Sequence, residues 1–185
     1  MTTIDNYQII TQLYESQNSL VYRANHKTND RSVILKVLKN DYPTPSELTR
    51  YKQEYQITRS LNIPGAIAAC ELLPYQNTLA IVLEDFDAQS LDQLLNARKI
   101  ELLEFIEIAI QAASALAAIH GANIIHKDIN PSNILFNPET KQLKIIDFGI
   151  STIFAKENPV IKNPDVLEGT LAYMSPEQTD RKSVV

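Results

Sequence analysis

Three side chains in one short stretch have the chemistry to move a phosphoryl group. From His126 to Gly149 the chain reads His-Lys-Asp-Ile-Asn-Pro-Ser-Asn, a short apolar run, and then Ile-Ile-Asp-Phe-Gly. Asp128 and Asp147 are separated carboxylates, and the carboxamide of Asn133 stands between them. A carboxylate that accepts a proton, followed by an amide oxygen and a second carboxylate able to hold Mg²⁺, suits phosphoryl transfer. That reaction needs an oriented nucleophile and charge neutralisation on the phosphates more than covalent chemistry. Each residue alone carries little, because Asp and Asn before Gly or Pro are ordinary turn formers.

The order resembles the H-R-D-L-x-x-x-N and D-F-G signature of eukaryotic-like Ser/Thr protein kinases. The wording of the catalytic stretch, and of Leu-Ala-Tyr-Met-Ser-Pro-Glu-Gln-Thr at 171–179, is most similar to bacterial kinases that head large multidomain signalling sensors. The resemblance implies ATP as donor and Mg²⁺ as the ion, with Asp128 serving the acceptor hydroxyl and Asn133 and Asp147 holding metal. Lys36, in Val-Ile-Leu-Lys, is similar to the V-A-I-K lysine that touches the α- and β-phosphates. Glu54, in Arg-Tyr-Lys-Gln-Glu-Tyr, is then its partner on a helix. Either residue by itself reads as an exposed charge; their order ahead of the Asp128 loop gives them a role.

The same resemblance extends the ATP-binding set to Ser16, Ser19, Val21, Ile34, Leu83, Glu84, Phe86, Leu135 and Ile146. Leu83 takes the gatekeeper position. The Glu84 carbonyl and the Phe86 N–H read the adenine edge, and Leu135 with Ile146 forms the floor of the adenine pocket. His126 is expected to pack beneath Phe148 rather than act as a base. The stretch from Gly169 to Glu177 resembles the closure of a kinase activation segment, with Thr170 in the position associated with Ser/Thr acceptors and Glu177 in the position that meets a later Arg.

Four departures from the family pattern bear on rate and affinity. The three glycine positions of the phosphate loop carry Tyr14, Ser16 and Ser19, where a residue without Cβ would let the backbone approach phosphate closely. Cβ atoms there predict a loop held further off, or frozen, and weaker nucleotide affinity. Ile34 crowds the roof over adenine, and Lys127 replaces an Arg without its bidentate fork. Asn130 stands where these kinases carry a Lys that steadies the γ-phosphate, so a cation aimed at developing charge is missing. In addition, no Ser, Thr or Tyr occurs between Ile153 and Gly169. A phosphate in the middle of that segment, the usual ordering switch, is unavailable. Only Ser151, Thr152, Thr170 and Ser175 remain near its ends. The sequence therefore predicts control by a partner or an attached domain.

The elements that must position these residues are legible in coarse form. Stretches 7–13, 19–25, 32–38, 67–73 and 78–84 read as strands, with turns at Lys27–Asp30 and Pro74–Asn77. A helix capped by Ser46 is predicted to run to about Leu61. After Asp87 the character becomes helical: Ser90 caps a helix over 91–97, and a longer helix follows over 101–120 with Gly121 as its stop. Its residues Leu102, Phe105, Ile106, Ala109, Ile110, Ala113, Leu116, Ala117 and His120 make a broad apolar stripe. Short strands over 134–136 and 142–146 separate the two acidic motifs.

Composition bounds the function further. At 185 residues, 44% of them hydrophobic, the chain has the size and content of a globular domain. A net charge of −5 and a pI near 5.2 argue against a nucleic-acid or anionic-membrane surface. Cys70 is alone, which favours a reducing compartment. No apolar run is read as long enough to span a bilayer, and the N-terminus carries no signal-peptide pattern. A cytoplasmic location follows as the expectation.

The fold expected is α+β, a kinase-like two-lobe arrangement with a complete N-lobe and hinge over 1–86. Residues 87–185 form a partial, helical C-lobe, because the resemblance implies further helices after the closing Asp-Arg-Lys-Ser-Val-Val. The expected function is a serine/threonine protein kinase acting in signal transduction on a protein substrate, with attached or associated sensor domains. Neither nucleic-acid binding nor membrane insertion is expected. A pseudokinase-like module that binds nucleotide or a partner with little turnover is the alternative. A small-molecule phosphotransferase is a third option, disfavoured by the Ser-Pro-Glu closure.

Overall fold

The computed structural model describes residues 3–153 and 169–179. The chain divides into two compact units, one holding 1–62 with 67–87, the other 63–66 with 88–185.

The first unit is a six-stranded antiparallel sheet with one helix. Strands β1 (Thr3–Ile4), β2 (Tyr7–Glu15), β3 (Ser19–His26), β4 (Ser32–Leu38), β5 (Ala69–Tyr75) and β6 (Thr78–Glu84) lie in the order β1-β2-β3-β4-β6-β5. Alternation along β4 sends Val33, Leu35 and Val37 into a core with Ile4, Tyr7, Ala24, Leu73, Ala80 and Val82. The opposite face carries Ile34 and Lys36. Register places Val21 and Ile81 across from Lys36, and Leu83 across from Ile34. Directly paired residues share a face, so Val21, Ile34, Lys36 and Leu83 stand together.

Helix α1 (Pro45–Ser60) begins at Thr44, not at Ser46. Thr44 and Glu47 form a reciprocal capping box, and Pro45 occupies the first helical position, where its missing N–H is harmless. Tyr51, buried on this helix, donates from its hydroxyl to the Lys36 carbonyl at 2.5 Å, fastening α1 to β4. The turn between β5 and β6 is shorter than expected, since Pro74 and Tyr75 belong to the strand and Gln76 takes the left-handed conformation.

The second unit contains β7 (Gln89–Ser90), α2 (Leu91–Ala97), α3 (Leu102–Gly121), β8 (Ile124–Ile125), β9 (Ile134–Asn137), β10 (Gln142–Ile145), β11 (Thr152–Ile153) and α4 (Pro176–Thr179). β10, β9 and β7 form one small sheet, and β11 pairs with β8. Helix α3 turns Ile108, Ala115 and Ile119 inward. Its Gln111 donates to the Lys141 carbonyl at 2.9 Å and accepts from the Leu143 N–H at 3.1 Å. Gly65 lies so close to α3 that an added Cβ would sit 2.4 Å from the Ala115 Cβ; its carbonyl accepts from the Ile145 N–H at 2.8 Å. Glycine is needed there for approach, not for turning.

Two expectations about α3 change. Gly121 is its last residue rather than its stop; the left-handed position that ends the helix falls on Asn123 (φ 59°). The helix is also long and apolar enough to cross a membrane by length and composition alone, with a mean hydropathy of 1.8. Glu104 and Glu107 lie in its first turns, and Ile108, Ala115 and Ile119 pack inward on β8 and β10, while most of its apolar surface is left exposed. The stripe predicted from the sequence faces outward, Leu102, Phe105, Ile106 and Ile110 being 42–70% exposed.

Candidate functional site

In the first unit, sheet register puts Lys36 on β4 opposite α1, and Glu54 on α1 meets it. The Lys36 Nζ stands 2.6 Å from Glu54 Oε1, and both side chains are largely shielded, at 12% and 9% exposure. Breaking such a shielded pair leaves one charge uncompensated. Its survival argues for a cation held in a defined place.

The phosphate-loop positions form the β2–β3 hairpin. The Ser16 N–H donates to the Ser19 carbonyl at 2.9 Å. The N–H groups of Asn18 and Ser19 donate to the Ser16 hydroxyl oxygen at 3.3 and 2.9 Å. Tyr14, Ser16 and Ser19 all avoid positive φ, so this hairpin needs no glycine. The Lys39 N–H bonds the Asn18 carbonyl at 2.9 Å, and Lys39 pairs with Glu15. The N–H groups of Ser16, Asn18 and Ser19 are thus taken up within the protein.

In the second unit, the Asp128 carboxylate is held on both oxygens. Oδ1 accepts from the Thr170 N–H at 2.8 Å and from the Thr170 hydroxyl at 2.7 Å; Oδ2 accepts from Asn133 Nδ2 at 3.0 Å. Asn133 Nδ2 also donates to the Asp128 carbonyl at 2.9 Å. The amide nitrogen is thus engaged, and the Asn133 Oδ1 makes no hydrogen bond among the described residues. The Ile146 N–H donates to the Asn133 carbonyl at 3.0 Å, which brings the residue before Asp147 onto Asn133. Asp147 is exposed, with φ 64° and Oδ1 accepting from the Gly149 N–H at 3.2 Å. An amide oxygen and a carboxylate are hard oxygen donors of the kind Mg²⁺ takes, so these residue types fit that ion.

His126 is the joint of this region. It is buried, edge-on to Phe148 with ring centres 4.9 Å apart. Nε2 bonds the Ile146 carbonyl at 2.8 Å, and Nδ1 accepts from the Asp128 N–H at 3.3 Å. A carbonyl on one nitrogen and an N–H on the other fix the neutral Nε2–H tautomer. Burial holds its pKa below the ordinary histidine value, against the opposing pull of the Ile146 carbonyl and the charges of Asp147 and Asp128.

Asn130 plays a part that the sequence did not suggest. It is buried; its Oδ1 accepts from the N–H groups of Ser132 (2.9 Å) and Asn133 (3.2 Å), capping the short turn Pro131–Asn133. Its Nδ2 donates to the Thr170 hydroxyl oxygen at 3.1 Å. The signal that marks this role is the Asn-Pro-Ser-Asn spacing, with Asn130 as the cap. Gly169 (φ 121°) makes the approach of Thr170 possible, since a Cβ there would lie 3.0 Å from the Lys127 carbonyl oxygen. The Lys127 carbonyl also accepts from Gln178 Nε2 at 2.9 Å.

Among the other expected residues, Leu135 on β9 pairs with Lys144 and Ser90. Glu84 Oε1 accepts from the Ala68 N–H at 2.8 Å, and Phe86 is partly buried just beyond β6. Ser151 is buried and donates to the His126 carbonyl at 3.2 Å, while Thr152 belongs to β11. Residues 154–168, where the serine- and threonine-free stretch lies, and the side chain of Glu177 fall outside the described residues. Arg23 and Asp85, an ion pair at 2.7 Å, were not singled out from the sequence.

Comparison with known proteins follows the same lines. The protein kinase domain family matches residues 7–184. The chain is 32% identical to serine/threonine-protein kinase pkn3 of Myxococcus xanthus, covering 93% of this chain and 33% of that protein. It is 32% identical to serine/threonine-protein kinase PrkC of Bacillus subtilis, covering 93% and 26%, and 30% identical to serine/threonine-protein kinase PknA of Mycobacterium tuberculosis, covering 85% and 38%. It therefore spans between a quarter and two-fifths of the length of these relatives.

Proposed function

Because the chain belongs to the protein kinase domain family, we propose that it transfers the γ-phosphate of ATP to serine or threonine hydroxyls of a protein substrate, with Mg²⁺ as cofactor. We read residues 1–86 as the N-lobe with its hinge and 87–185 as the front of the C-lobe. The observation that carries the proposal is the Asp128 carboxylate, fixed by Thr170 and Asn133 while the Asn133 Oδ1 stays open.

Asp128 orients the acceptor hydroxyl and takes its proton; the Thr170 bonds keep the carboxylate from swinging away. Lys36, aligned by Glu54, pairs with the α- and β-phosphate oxygens, and Asn133 with Asp147 supplies the oxygen donors for metal. Asn133 and Asp147 would hold Mg²⁺, which would supply positive charge against the negative charge developing on the phosphates. Val21, Ile34 and Leu83 supply apolar surface for the base, with the Glu84 carbonyl and the Phe86 N–H reading its edge. Ser16 and Ser19 lie in the phosphate-loop position, and Thr170 and Glu177 in the substrate-side segment. A signalling role in the cytoplasm belongs to the same proposal, and control from an attached domain is in keeping with the length of the bacterial relatives beyond the matched part.

The second reading is a nucleotide- or partner-binding module with little turnover. It is favoured by Asn130, whose polar atoms serve the loop rather than a phosphate. Radiolabelled ATP and a generic protein acceptor decide between them. Acid-stable label transferred by the wild type and lost in Asp128→Ala supports the kinase; Mg-ATP binding with transfer no higher than in Asp128→Ala supports the module.

A further inference from the structure

The segment that follows β6 is braced on both sides by consecutive acidic residues. Alternation along an extended chain sends neighbouring side chains in opposite directions. Glu84 reaches the start of β5, taking the Ala68 N–H on Oε1 at 2.8 Å while its own N–H bonds the Ala68 carbonyl at 3.0 Å. Asp85 goes the other way, toward β3 and β4. Its side chain is only 7% exposed, yet carries a carboxylate. Ser32 Oγ donates to Oδ2 at 2.7 Å, Arg23 Nε stands 2.7 Å from Oδ2, Arg23 Nη2 donates to Oδ1 at 3.3 Å, and the Asp87 N–H closes onto Oδ1 at 3.1 Å. The same Nη2 reaches Asp87 Oδ1 at 3.1 Å.

A buried carboxylate costs several kcal/mol unless its oxygens are matched by donors, and this one has a hydroxyl, a guanidinium and a backbone N–H. Burial raises the Asp85 pKa, but the bonds from Ser32, the Asp87 N–H and Arg23 outweigh it and hold it below the ordinary value. Asp87 adopts φ 54°, a left-handed turn that Asp tolerates better than most non-glycine residues. Arg23 lies across from Ile34, and Ile34 across from Leu83. The brace therefore stands on the sheet face that carries the expected base-contacting residues.

We propose that Asp85 is a positioning residue for base recognition, its carboxylate acting with Arg23 and Ser32 to hold the 84–87 backbone in the pose that reads the purine edge. The inference rests on the kinase reading. It adds a specific mechanism to it, because a prearranged peptide does not have to be ordered when nucleotide binds.

The test measures Mg-ATP and Mg-tripolyphosphate binding to the 185-residue chain and to Asp85→Asn and Arg23→Lys, with hydrogen exchange read at Phe86 and Asp87. Asp85→Asn is expected to weaken ATP about tenfold, leave tripolyphosphate, which has no base, unchanged, and speed exchange at both amides. Arg23→Lys keeps a cation without the fork and should fall between the two. ATP affinity within twofold of wild type in both variants, or equal losses for ATP and tripolyphosphate, would overturn the inference and leave the kinase reading standing. A wild type that binds neither ligand defeats the kinase reading and the inference with it.

Discussion

The catalytic loop of the second unit and the serine hairpin of the first both carry substitutions at family positions, and they absorb them differently. At Asn130 a cation is replaced by an amide, and the amide is woven into the loop, capping Pro131–Asn133 and holding Thr170. Asp128 is thereby kept in place although the charge is gone. At Ser16 a flexible residue is replaced by a hydroxyl, and the hydroxyl draws the hairpin's own N–H groups inward. One substitution preserves what the loop offers a substrate; the other withdraws it. A change in residue type is therefore read best through the partners the new side chain acquires.

The largest effect should come from the cation that neither loop replaces. Lys36→Met should lower transfer by about 10²–10³-fold, as expected for removing one donor aimed at transition-state charge, with circular dichroism unchanged. Steady-state kinetics check it. If the loss falls below about tenfold, charge placement on the first unit matters less than the comparison holds.

Next, Asn130→Ala removes a cap and the partner of Thr170 together. A cost of about 1–3 kcal/mol in stability is expected from the donors left unsatisfied, together with a fall in kcat. Chemical denaturation and kinetics test both halves. Gly169→Ala should lower kcat in the same direction, because its Cβ meets the Lys127 carbonyl oxygen and displaces Thr170.

Smaller is the reverse change in the hairpin. Ser16→Gly with Ser19→Gly should free backbone N–H groups and tighten ATP about fivefold, the equivalent of about one hydrogen bond. Equal affinity by titration would show that the serines do not withhold those groups from phosphate.

The last prediction concerns pH. His126 is held neutral, its folded pKa lying below the unfolded value near 6.5. The native state then binds fewer protons than the unfolded state. The contribution to stability is present above about pH 6.5 and lost as pH falls through the depressed folded value. His126→Gln should flatten that part of the stability profile, as measured by urea unfolding across pH 5 to 7.5.

Much of the fold was legible because it depends on local patterns. β4 over 32–38 and β6 over 78–84 follow runs of β-branched and apolar residues, and Ser90 caps α2 at 91–97 with Gln93 completing the box. The first helix start was misplaced because Ser46 and Thr44 are both good caps and only Thr44 has Glu three residues on. Among the candidate site residues, those carried by a motif can be named from the sequence. Those set by tertiary contact cannot: Arg23 and Asp85 are 62 positions apart, and nothing local in either suggests the other. Asn130 was hidden in a different way, since its family position drew attention from its capping geometry.

The central claim is that the second unit keeps a pair of oxygen donors for metal, the Asn133 Oδ1 and the Asp147 carboxylate, beside a fixed Asp128. Titration of ATP with and without Mg²⁺ into wild type, Asn133→Ala and Asp147→Ala tests it most directly. Mg²⁺ should strengthen ATP binding to the wild type, and that gain should vanish in Asp147→Ala and shrink in Asn133→Ala while metal-free binding persists. An undiminished Mg²⁺ effect in Asp147→Ala would contradict the account.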